Sequence, residues 1–137
     1  MSTAVMATQI AERNPTKRVL VASFFGLAMG CLCASGAFSA GILKFTPMML
    51  IWILLNRTVM GAAIGISGLR VHWAWNGIVI GLATGSIFSY YLFMNVVGPL
   101  PAINAMVNGL FGLLIEFFTT VVFKQPSLAT TRVMRAA

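Results

Sequence analysis

The chain has 137 residues, of which 59% are hydrophobic and 8% charged, and its net charge is +7. A water-soluble domain carries roughly 25% charged residues, so this composition excludes an ordinary globule in water and points to an apolar solvent. The positive charge is not a nucleic-acid surface, because Arg13, Lys17, Arg18, Arg70, Lys124, Arg132 and Arg135 flank apolar segments and form no aromatic-interleaved stripe.

The polar tail 1–17 leads into an apolar segment over 19–38. Lys17-Arg18 followed by a hydrophobic run and small residues also resembles a secretory signal. The run is long, and its removal would place the arginine-bearing middle loop on the wrong side, so a retained span is expected. Cys31 and Cys33 lie in this segment two positions apart, on different faces of a helix, and read as small packing residues. Gly41, Lys44 and Thr46-Pro47 break the chain before a second segment over 47–68. Gly68, Arg70 and His72 separate it from a third over 73–95, and Gly98-Pro99 and Pro101 introduce a fourth over 100–123. The tail 124–137 is polar again.

Each segment has at least 20 residues, enough at 1.5 Å per residue for a hydrocarbon core of about 30 Å. None alternates as a barrel strand does. The fold expected over 1–137 is therefore one all-α integral membrane domain of four transmembrane helices, arranged as two antiparallel hairpins. The two tails and the middle loop hold seven Lys and Arg, and the other two connections hold only Lys44. That excess places both termini in the cytoplasm and the chain in a cell (inner) membrane. Trp73 and Trp75 at one end of the third helix, and Tyr90 and Tyr91 near the other, fit this frame.

A weak repeat runs through the chain. Phe25–Gly30 is similar to Asn76–Gly81, 51 positions on, while Asn56 and Gly61 match Asn104 and Gly109, 48 positions on. The pattern suggests two copies of a helical hairpin in the same orientation, a parallel repeat.

Small residues recur at spacing four, which puts them on one face of a helix. These lines are Ala22, Gly26, Gly30 and Ala34; Arg57, Gly61 and Gly65; Gly77, Gly81, Gly85 and Ser89; and Asn104, Asn108, Gly112, Glu116 and Thr120. In lipid the hydrophobic effect does not draw helices together, so close backbone contact and interhelical hydrogen bonds must do so. Gly26, Gly30, Gly61, Gly65, Gly77, Gly81, Gly85 and Gly112 are the expected packing positions.

Arg57 is the eleventh residue of its segment, near mid-bilayer, where an arginine costs on the order of 3 kcal/mol. Glu116 lies well inside the fourth segment. If both helices start at similar heights, the two charges differ in depth by about five residues, or roughly 7 Å. A long arginine side chain covers much of that gap. Two arrangements follow, an ion pair across the second and fourth helices or two charges lining a polar path. Arg57, Glu116, Asn108, Asn104 and Asn56 form the candidate binding set.

Other chemistry is sparse. His72 is the only histidine, and there is no phosphate loop, carboxylate pair or Ser-His-Asp set. No enzymatic activity, cofactor or metal is expected. The expected function is a homo-oligomeric channel or transporter for an ion or small polar solute. The alternative is a non-catalytic accessory or assembly subunit of a larger membrane complex. The expected surroundings are the lipid bilayer and either further copies or another membrane protein, with no nucleic acid.

Overall fold

A computed structural model describes residues 15–42, 44–69, 72–95 and 100–125. Arg13, Arg70, Arg132, Arg135 and the Gly98-Pro99 turn lie outside these residues, as do the side chains of Ser89 and Tyr91. All the described regular structure is helical: α1 (Pro15–Ser39), α2 (Pro47–Ile66), α3 (Trp73–Asn95) and α4 (Leu100–Glu116), the last continued by a π-helical segment, Phe117–Val122.

The helix ends follow local chemistry. Pro47 stands where a missing N–H costs nothing. Thr46 caps α2, its side chain accepting from the Met49 N–H at 3.2 Å. After α1, the Ile42 N–H reaches the Ala37 carbonyl and the Gly41 N–H reaches that of Phe38. Gly41 sits at φ +66°, so this is a Schellman stop in which glycine takes the left-handed position. His72 Nδ1 accepts from the Ala74 N–H at the head of α3.

Among the described residues three stretches are long and apolar enough to cross a membrane: Pro15–Ser39, Pro47–Ile66 and Ala102–Val122. α3 has 23 residues, about 35 Å of helix. The polarity of the bundle is inverted relative to a soluble protein. Leu20, Phe24, Ile51, Ile87 and Met106 point outward, each at least 60% exposed, while Arg18, Arg57, Asn76, Asn108, Glu116 and Thr119 are buried. Asn76 links the α2–α3 connection to the bundle, its Oδ1 accepting from Ser67 Oγ at 2.6 Å.

The extensive interfaces are α1 with α2 and α3 with α4, and each is a glycine contact. A Cβ at Gly26 would strike the Arg57 carbonyl and lie 3.2 Å from the Gly61 Cα; one at Gly81 would strike the Asn108 carbonyl and lie 3.1 Å from the Gly112 Cα. Gly61 and Gly112 face back onto the Ala22 and Gly77 carbonyls. Gly30 and Gly85 face the β-carbons of Arg57 and Asn108. Gly65 lies against Val19, where an added Cβ would be 2.6 Å from its Cα.

The hairpins thus repeat one contact pattern, with α1 matching α3 at a separation of 55 positions and α2 matching α4 at 51. The register read from sequence, 51 and 48, is corrected by one turn in the first helices and three residues in the second. Gly109, matched to Gly61 by sequence, instead faces the Leu82 side chain. The cause is plain for the first helices: a line of small residues repeating every four looks the same after a shift of four. In the corrected register Arg57 and Asn108 occupy equivalent places.

Gly81→Leu should remove the folded state or lower its stability by ~3 kcal/mol, the upper end of overpacking costs, because the obstacle is backbone. Leu82→Ile, at an exposed neighbour, should do little. Thermal unfolding in detergent checks both. An unaltered Tm for Gly81→Leu would remove the close approach from the account.

Candidate functional site

Four charged or amide side chains meet inside the bundle at two levels. At the first, Arg18 projects from the opening turns of α1 on the same line as Ala22 and Gly26. Its Nη2 donates to both carboxylate oxygens of Glu116, at 2.8 and 2.9 Å, and to the Ile64 carbonyl at 3.3 Å. Its Nη1 donates to Thr120 Oγ1 at 3.0 Å and to the Gln125 carbonyl. Thr120 Oγ1 in turn donates to Glu116 Oε1 at 2.9 Å. Both side chains are about 2% exposed or less. The π-helical turn widens the end of α4 here, carrying Thr119, Thr120 and the approach of Gln125.

The second level lies two helical turns away along α4, about 12 Å. Arg57 Nη1 donates to Asn108 Oδ1, and Nη2 reaches Cys33 Sγ at 3.4 Å. The guanidinium carbon sits 4.6 Å from the centre of the Phe111 ring. Asn108 Nδ2 donates to the Asn104 carbonyl at 2.6 Å, which turns its oxygen towards Arg57. Gly30 and Gly85, by lacking side chains, admit the stems of Arg57 and Asn108. α2 and α4 run in the same direction, since Arg57 and Ile64 stand level with Asn108 and Glu116 respectively. Equivalent residues of the two hairpins therefore touch across the bundle centre.

The two levels differ in charge balance. Arg18 is neutralised. Arg57 has no carboxylate partner among the described residues, where Glu116 is the one acidic side chain and belongs to Arg18. Arg57 is 2% exposed, and its Nε–H, like that of Arg18, has no acceptor among the described residues. Arginine keeps its charge in proteins. An amide oxygen, a thiol and a ring face offset part of the cost of burying it, with the cation–π contact worth about 2 kcal/mol when desolvated, and they do not cancel the charge.

Comparison with known protein families, curated proteins and solved structures found no match.

Of the residues singled out from sequence, Arg57, Asn108 and Asn104 come together. Glu116 is buried but stands at the other level, paired with Arg18, so the ion pair with Arg57, one of the two arrangements the sequence left open, is not formed. Arg18, read as a flanking cytoplasmic charge, is instead 1% exposed inside the bundle. Asn56 points away from Arg57, into a groove with Trp52, Leu55, Val59 and Ile87. Cys33 and Phe111 were missed as site residues. The clue for Arg18 was its position four before Ala22, which extends the first small-residue line.

Proposed function

We propose that this chain is a four-span protein of the cell membrane, with both termini cytoplasmic, that binds and passes a small anion and does no covalent chemistry. One observation carries the reading: Arg57 is buried mid-bundle without a carboxylate among the described residues. A fixed positive charge inside hydrocarbon lowers the electrostatic barrier to an anion and raises it for a cation. Intramembrane ionisable groups mark solute pathways by default. Asn108, Cys33 and Phe111 offer further weak contacts, which suits an anion that must leave as well as enter. Helices packed through glycine leave little width inside one subunit, so a path beside Cys33 and Phe111, both partly exposed, or between subunits, is the natural route.

The test is flux into vesicles containing the purified protein. Chloride, nitrate, acetate and phosphate are offered in turn, with potassium as the cation control. Uptake of at least one anion, with no potassium uptake, is expected. A small thiol-reactive reagent should block uptake by modifying Cys33, with Cys33→Ser resistant to it. Potassium uptake, or no uptake of any of the four anions, would overturn the proposal. Co-purification of foreign subunits with no flux would favour an accessory role in a larger membrane complex.

A further inference from the structure

We infer that two copies of this chain associate through the face of α2 that carries Trp52, Asn56 and Val59, with Asn56 of each copy hydrogen-bonded to the partner's Asn56. Asn56 is the tenth residue of the 20-residue α2 and so lies near the middle of the helix. Its side chain is half-buried and makes no hydrogen bond to any described residue. It lines a groove of about 160 Å³ whose other walls are Trp52, Leu55, Val59 and Ile87. Across Trp52 the groove continues into a second hollow of about 350 Å³ lined by Thr46, Met48 and Met49. Trp52, Leu55, Val59 and Met48 are all more than 40% exposed, so this is an apolar face whose polar groups are Asn56 and, at its end, Thr46, which is engaged in capping α2.

At mid-membrane there is no water to satisfy a carboxamide, and an acyl chain filling the groove offers it nothing. Lipid headgroups stand at the wrong depth. A carboxamide carries a donor and an acceptor on one side chain, so it is complementary to itself across a two-fold axis. Two copies inserted in the same orientation bring Asn56 to the same depth, which makes the second copy the occupant that fits. Trp52, Leu55 and Val59 supply the surrounding packing.

The inference does not depend on the anion site and is tested without transport. Self-association of the full chain is measured by energy transfer between labelled copies diluted in phosphatidylcholine vesicles. Asn56→Leu should weaken it about fivefold or more, and Asn56→Gln, which keeps the amide, should stay within about twofold of wild type. Single cysteines are then placed along α2 in a Cys31→Ser, Cys33→Ser background. Positions 52 and 59, which leave Asn56 in place, should form intermolecular disulfides, and the buried positions 53, 57 and 60 should not. Wild-type association by Asn56→Leu, cross-linking that skips 52 and 59, a monomeric wild-type protein, or association only with unlike subunits would each overturn the inference.

Discussion

Arg57→Asn should cut anion flux ~10- to 100-fold, and adding Asn108→Arg should restore a substantial part of it. The size follows from losing a charge-assisted contact of about 1.5–3 kcal/mol at a site where each 1.4 kcal/mol is tenfold. The rescue follows from the corrected register: positions 57 and 108 are equivalent and touch, so moving the charge across the bundle centre keeps it at the same depth. Recovery should be partial, because Met60 stands in the moved arginine's surroundings where Phe111 stood. Arg57→Met should lose flux like Arg57→Asn while melting at the same or a higher temperature than wild type, since it removes a buried charge that no carboxylate among the described residues balances. Flux and Tm on the same preparations decide it. A swapped double variant no more active than Arg57→Asn would show that the site is not shared between the hairpins.

Glu116→Leu is expected to do the opposite to stability. It strands the buried Arg18, and breaking a buried pair by removing one partner costs about 3–5 kcal/mol. Arg18→Leu should cost a similar amount, because Glu116 then keeps only Thr120. The double variant Arg18→Leu, Glu116→Leu should recover more than half of the summed losses, the sign of direct coupling. Arg57→Leu combined with Glu116→Leu should show no such recovery, since those two residues lie at different levels. Reversible unfolding of the four variants in mixed micelles gives the energies. Additive losses for Arg18 and Glu116 would refute a structural pair, and recovery in the Arg57 combination would reinstate the pairing across α2 and α4.

Chain order and composition determined the all-helical architecture, the apolar stretches and the glycine faces. These are local properties. A run of 20 apolar residues, a proline at a helix start and a repeat of four are each written within a few positions of the residues they govern. The helix starts at Pro47 and Trp73 follow directly from that information. The stripe carrying Arg57, Gly61 and Gly65 was equally local, and so was the depth of Arg57 in its segment.

Pairing between helices was decided elsewhere. Small residues at spacing four permit several registers differing by whole turns, and only the fit of carbonyls and β-carbons selects among them. That fit shifted the repeat, brought Arg57 to Asn108 rather than Glu116, and drew Arg18 inward from the position its flanking sequence implied. Which arginine receives the single buried carboxylate depends on the relative height of three helices. A one-turn slip of about 5.4 Å would change the answer, and nothing in a linear pattern of period four records such a slip. That Arg57 has no carboxylate partner among the described residues is therefore a product of tertiary structure, arising because the bundle gives Glu116 to Arg18.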